Sequence, residues 1–198
     1  MLSKNIIGAD AGGSMVPDFD SAVLLVIDMQ AAFDHPRWGE RNNHQAESNI
    51  AKLLAEWRRK KRPVIHIHHV NPKPESLFNG KGISVKPEAA PVEGEPVLTK
   101  NVNSAFIGTD LEERLSSMGV KQLVLTGLST DHCVSTTARM AGNLGFNTFV
   151  VADATATFER KGVRGQRYTA DEMHDTALTS LNGEFATIIS TKELIDGA

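Results

Sequence analysis

Apolar residues run unbroken from Ala22 to Ile27 and stop at Asp28. A run rich in β-branched residues and without alternation is the pattern of a strand covered on both faces of a parallel sheet. From Glu47 to Lys60 the period changes. Ile50, Leu53, Leu54 and Trp57 recur at helical spacing, and Arg58 to Arg62 put positive charge at the C-terminal end, where the helix dipole favours it. Pro63 stops that helix, Val64 to His68 resumes as a second strand, and a polar stretch rich in Pro and Gly follows from Asn71 to Pro96. The second half repeats the rhythm, with a helix from about Asp110 to Met118, a strand at Gln122 to Thr126 and a helix from Asp131 to Leu144. A strand at Thr148 to Val151, a helix around Ala170 to Leu181 and a strand at Ala186 to Ile189 complete it.

Strands alternating with helices predict a doubly wound, mostly parallel α/β sheet with helices on both faces, because parallel neighbours need right-handed crossovers. Ligands in such sheets bind beyond the carboxyl ends of the strands. Asp28, His68, His69 and the loop from Gly127 to Cys133 all fall at those ends, so one rim gathers them.

The chain has 198 residues and 40% hydrophobic content, enough for one sizeable core. Residues 21–198 are expected to form a single domain. Residues 1–20, which lack an apolar core of signal-peptide length, read as a flexible arm. No segment approaches the ~20 apolar residues needed to cross a bilayer, so a soluble protein is expected. The 21 Lys plus Arg and 24 Asp plus Glu are interspersed and leave a net charge of -3, which gives no sign of nucleic acid or a membrane as partner. One cysteine cannot form an intramolecular disulfide. That fits a reducing, cytoplasmic compartment and leaves Cys133 either an inert core residue or a reactive thiol.

Cys133 follows a strand and the short turn Gly127 to Thr130, at the start of a predicted helix for which Thr130 or Asp131 would be the N-cap. Taken alone, such a cysteine is a small buried hydrophobe. In the first turn of a helix, however, free N–H groups and the positive dipole end lower a thiol's pKa and could receive an oxyanion. Asp28 closes an apolar strand, where a carboxylate is costly to bury unless it is paired or useful. A carboxylate beside a thiol can take its proton and deliver it to a leaving group, and a lysine near both can hold the carboxylate ionised. Lys100, after Val97-Leu98-Thr99, is the candidate, although a lone lysine is ordinarily a solvated surface residue.

Three blocks then fall into place: Leu24-Leu25-Val26-Ile27-Asp28-Met29-Gln30 with Phe33; Lys100 with Ser104-Ala105-Phe106; and Thr126 to Val134 with Thr136-Thr137-Ala138-Arg139. With them the chain resembles, over nearly all of Ser21 to Leu194, the isochorismatase-like cysteine hydrolases, a family that includes isochorismatases, nicotinamidases and N-carbamoylsarcosine amidohydrolases. The resemblance implies a six-stranded, three-layer, Rossmann-like fold in which Asp28 is the general base, Lys100 supports it and Cys133 attacks the substrate carbonyl. It also implies a cis peptide at Leu128–Ser129 that aims backbone amides near Ser129 and Cys133 at an oxyanion. The expected activity is hydrolysis of a C–N bond in a small amide, carbamoyl or ureido compound through an acyl-enzyme, with no cofactor. The alternatives are a vinyl-ether hydrolase of the isochorismatase type and a catalytically idle binding or scaffold member. Family members form dimers and tetramers, so a homo-oligomer is implied as well.

His66 and His68 share one face of their strand, and zinc favours such ligands. The metal-dependent nicotinamidases use an Asp-x-His pair in this region, and no Asp occurs from Val64 to Asn71, so no metal is expected. Strand-end packing or substrate contact is expected of His68 and His69. Phe33, Trp38, Phe106, His132 and Phe158 are candidate pocket aromatics beside His69, since pockets are mostly apolar with a few placed polar groups. Arg160, Lys161, Arg164 and Arg167 form a basic cluster that reads as a solvated face or, near a rim, as a guide for an anionic substrate.

Overall fold

The first apolar run forms β1 (Val23–Ile27), every residue of it buried. The computed structural model describes residues 19–197, so most of the expected arm, residues 1–18, lies outside the described residues. Phe19 is already packed, edge-on to Phe149 at 5.0 Å between ring centroids. After β1 come α1 (Ala46–Arg59), β2 (Val64–His69), β3 (Val97–Lys100), α2 (Leu111–Ser117) and β4 (Gln122–Leu128). A π-turn at Thr130–Val134 leads into α3 (Ser135–Asn143), followed by β5 (Asn147–Ala156), a small hairpin of β6 (Arg160–Lys161) and β7 (Arg167–Tyr168), α4 (Ala170–Leu181), β8 (Thr187–Ile189) and α5 (Thr191–Asp196).

The six long strands form one all-parallel sheet in the order β3-β2-β1-β4-β5-β8. The doubly wound architecture expected from the alternation is the one observed. Side-chain alternation along the strands divides the core. Leu24 and Val26 pack with Ile50, Leu53, Leu54 and Trp57 of α1 and Leu194 of α5, whereas Val23, Leu25 and Ile27 pack with Leu111, Leu115, Ala138, Ala141 and Leu178 of α2, α3 and α4. Each β1 side chain thus serves one of two cores, and the strand cannot slip by one residue without exchanging both sets. No helix among the described residues is long and apolar enough to cross a membrane.

Several elements run beyond the sequence expectation. β2 ends at His69, β4 at Leu128 and β5 at Ala156, and the helix expected from Asp131 begins as a π-turn. β3 and α5 are additional elements. β3 is an edge strand whose residues alternate exposed and buried over only four positions, too short for a periodicity to show.

Strand order reverses between β1 and β4, the place where a doubly wound sheet opens a crevice. There Ile27 pairs with Gly127, which has φ 114°. A Cβ at Gly127 would lie 1.9 Å from the carbonyl oxygen of Ile27, so only glycine lets the two backbones meet. Gly127→Ala is therefore expected to destabilise the protein by at least about 2 kcal/mol, read as a lowered urea midpoint at unchanged slope.

Candidate functional site

Asp28 is the first residue beyond β1 and adopts φ 51°, a left-handed conformation that Asp and Asn tolerate better than other side chains. Its N–H donates to the Ile67 carbonyl at 2.8 Å, which ties the bend to β2. Lys100 ends β3 in register with His69 at the end of β2. Cys133 sits in the π-turn beyond β4. Three strand ends and one turn thus deliver four side chains, Asp28, His69, Lys100 and Cys133, to the same point, although they lie far apart in sequence.

Lys100 is at the centre. Its ammonium donates to Asp28 Oδ2 at 2.6 Å, to His69 Nδ1 at 3.0 Å and to Cys133 Sγ at 3.3 Å. An ammonium has three protons, so these acceptors use all of them. Both Asp28 and Lys100 are buried, and Asp28 Oδ1 has no hydrogen-bond partner among the described residues. Burial raises the Asp28 carboxyl above the usual range and the lysine opposes this. Burial and the Asp28 charge together push the Cys133 thiol up. Against the sequence expectation of a thiol acidified by a helix N-terminus, loss of solvent and a nearby carboxylate act in the opposite direction. The resting arrangement is a protonated thiol beside an ion pair, so attack by sulfur needs a proton acceptor, and Asp28 is within reach.

One oxygen, nitrogen or sulfur atom from each of Asp28, His69 and Cys133 lies within 4.8 Å of the others, a spacing that suits a cation. Lys100 already supplies one and bonds to all three residues, so these residues do not fit a metal ion. His66 turns elsewhere and meets Glu95 at 2.8 Å, and Arg58 holds that glutamate in turn.

Gln30, two residues beyond Asp28, closes the first of the three sequence blocks, where nothing gives it a role. Its side chain accepts from the His69 N–H at 2.8 Å and donates to the carbonyls of His69 at 3.0 Å and Ile83 at 3.2 Å. It ties β1, β2 and the loop that follows β2 together around the site. Phe33, Trp38 and Phe158 pack on one another, with Phe33 5.2 Å from Trp38 and 5.8 Å from Phe158 between centroids. Phe78 joins them at 5.2 Å from Phe33 and 4.6 Å from His69. It lies in the Pro- and Gly-rich stretch, where nothing in the sequence pattern distinguishes it. Phe106 packs in the other core cluster, which also holds Cys133, and stacks on Phe146 at 6.0 Å. His132 is exposed on the rim, its Nε2 3.7 Å from Asp131. A cleft of about 440 Å³ is lined by Ala31, Ala32 and residues 34–36 on one side and by Ser76, Leu77, Asn79, Lys81 and Gly82 on the other, and its lining does not include Phe33, Phe78, Asp28, Lys100 or Cys133.

The turn that carries Cys133 is held from outside. Neither Thr130 nor Asp131 is the N-cap; that position is Ser129, and the Leu128–Ser129 peptide is cis. Thr130 Oγ1 meets His174 Nδ1 of α4 at 2.9 Å, and Asp131 accepts from Thr157 and Arg160. Arg160 therefore leaves the expected basic face to brace the turn, and Arg167 pairs with Glu159.

The family model for the isochorismatase domain matches residues 22–193. An uncharacterized isochorismatase family protein of Bacillus subtilis, YrdC, is 48% identical over 179 residues, covering 89% of this chain and 96% of its own. Nicotinamidase 3 of Arabidopsis thaliana is 31% identical and covers 90% of this chain and 89% of its own. A crystal structure of an isochorismatase-family protein from Chromobacterium violaceum superposes with a TM-score of 0.88 at 43% identity, covering 90% of this chain and 93% of that one. The sequence match, the parallel sheet order and the crevice at its reversal agree: this chain belongs to the isochorismatase family of hydrolases.

Proposed function

We propose that the chain is a cysteine amidohydrolase that cleaves the C–N bond of a small amide, carbamoyl or ureido compound through an acyl-enzyme on Cys133. The observation that carries this reading is the buried convergence of Asp28, Lys100 and Cys133 on one ammonium group. Kinship to a nicotinamidase supports an amide as the substrate class.

In this mechanism Asp28 takes the thiol proton as Cys133 Sγ bonds to the substrate carbonyl carbon, and the carbonyl electron pair moves to oxygen. Backbone amides near Ser129 and Cys133 receive that oxyanion. The C–N bond then breaks, and the proton on Asp28 leaves with the amine. Water attacks the thioester with Asp28 again as base, which releases the acid and restores the thiol. Lys100 remains in place throughout and favours the ionised carboxylate when the proton has left.

Intact-mass spectrometry during turnover of a panel of small amides, ureido acids and nicotinamide tests this reading. Wild type is expected to show a transient adduct whose mass identifies the acyl group, and Cys133→Ala none. Turnover that persists in Cys133→Ala would overturn the nucleophile assignment and favour vinyl-ether hydrolysis.

A further inference from the structure

His69 has two ring nitrogens in unlike surroundings. Nδ1 lies 3.0 Å from Lys100 Nζ. An ammonium can only donate, so Nδ1 must present a lone pair, and the ring proton belongs on Nε2. The tautomer is thereby fixed by geometry, and burial together with the Lys100 charge holds the imidazolium pKa down at about 4. Among the described residues Nε2 has no hydrogen-bond partner, yet it is not among the buried polar atoms lacking one, so it borders solvent. The backbone of His69 is clamped at both its N–H and its carbonyl by Gln30, itself fully buried. Phe78 lies against the ring at 4.6 Å. An imidazole this constrained, with a ring nitrogen within 4.8 Å of the thiol and the carboxylate and one N–H left facing solvent, is prepared for a ligand.

We propose that His69 is a substrate-contacting specificity residue whose Nε2–H donates to the amide oxygen, or to an acceptor next to it, of a neutral or anionic amide approaching Cys133. This rests on the amidohydrolase reading and adds to it a selection rule. Locked as a donor, His69 accepts amides that offer a lone pair at this point and rejects those that offer a cationic or donor group there. No proton is transferred by His69: the low imidazolium pKa makes the neutral ring a poor base, its remaining N–H is far too weak an acid to be given up, and its contribution is orientation.

Two measurements on the full-length protein test this. The first is nitrogen-15 NMR of histidine-labelled protein, in which the His69 ring is identified by its absence in His69→Gln. We expect an unprotonated Nδ1 and a protonated Nε2, unchanged from pH 8 to pH 5; the reverse tautomer, or a ring that titrates near 6.5, would overturn the proposal. The second compares alkylation of Cys133 by iodoacetamide, itself a small amide, with alkylation by ethyl iodide, which lacks a carbonyl. His69→Leu is expected to slow iodoacetamide about tenfold relative to ethyl iodide, the equivalent of one lost hydrogen bond. His69→Gln, which can still accept from Lys100 and donate outward, should retain most of the wild-type ratio. Equal slowing of both reagents in His69→Leu, or a His69→Gln ratio as low as that of His69→Leu, would reduce His69 to packing. Failure of the nucleophile reading would appear separately, as amide turnover that persists in Cys133→Ala, while the tautomer measurement still decides the state of His69.

Discussion

Replacing Cys133 by alanine or Asp28 by asparagine is expected to lower kcat by about 10,000-fold or more, and the double replacement to cost no more than the worse single one. Nucleophile and base act in one step, so removing either leaves the other with nothing to do, and their losses do not add. Asp28→Asn is the more informative variant. Asparagine tolerates φ 51° as aspartate does, and its carbonyl oxygen can still accept from Lys100, so the backbone and the ammonium keep their places. What disappears is the group that can hold the thiol proton. Because burial and the Asp28 charge hold the Cys133 thiol protonated, removing that charge should make the thiol easier to ionise even as turnover collapses. Kinetics and a thiolate absorbance titration would thus move in opposite directions. If Asp28→Asn keeps more than about one hundredth of wild-type kcat, the general-base role falls, since general base catalysis contributes roughly a hundredfold or more.

Lys100→Met is expected to be the most destabilising substitution in the site, at about 3–5 kcal/mol, because it leaves a buried carboxylate without its counter-charge. Methionine has similar length and fills the same apolar passage, so the loss reports charge more than volume. The pH dependence separates the two. His66, His68, His69 and His174 are all held below the ordinary histidine pKa, chiefly by burial. The unfolded chain takes up protons that the folded chain refuses, so wild-type stability falls as pH drops below about 6.5. Asp28 has the opposite sign: burial raises its folded pKa, so the folded state takes up a proton before the unfolded chain does, and loss of Lys100 raises it further. Acidification toward the unfolded carboxylate pKa near 4 therefore relieves the variant, and the gap between Lys100→Met and wild type should narrow as pH falls. A gap that stays constant from pH 8 to pH 5 in urea unfolding would mean that the lost stability is packing alone.

The sheet was legible wherever a run of apolar residues was long enough to show its period. β1, β2 and β4 are buried on both faces and read directly from composition. α4 and α5 each begin with a capping box, Thr169 with Glu172 and Ser190 with Glu193, but α5 spans only Thr191–Asp196 and carries too little periodicity to stand out. The strand ends that carry Asp28 and Cys133 followed from the alternation of elements. Three features were not legible. The hydrogen bonds of Gln30 reach residues 39 and 53 positions away, and no local pattern encodes them. Phe78 owes its place beside His69 to the path of an irregular loop. The ionisation of Cys133 depends on how completely Asp28 and the surrounding chain exclude water, a property of packing that a motif does not carry.

The groups proposed for bond-making stand at the ends of β1 and β3 and in the turn after β4, whereas Phe78 and the carbonyl of Ile83 belong to the connection that crosses from β2 to the edge of the sheet. That division separates two rates of change over evolutionary time. Replacements within residues 71–96 can reshape what the pocket admits without disturbing the hydrogen bonds of Lys100. Divergence among relatives should therefore collect in this connection, while Gln30, which joins the two parts, is the position at which a new specificity would have to remain compatible with the old chemistry.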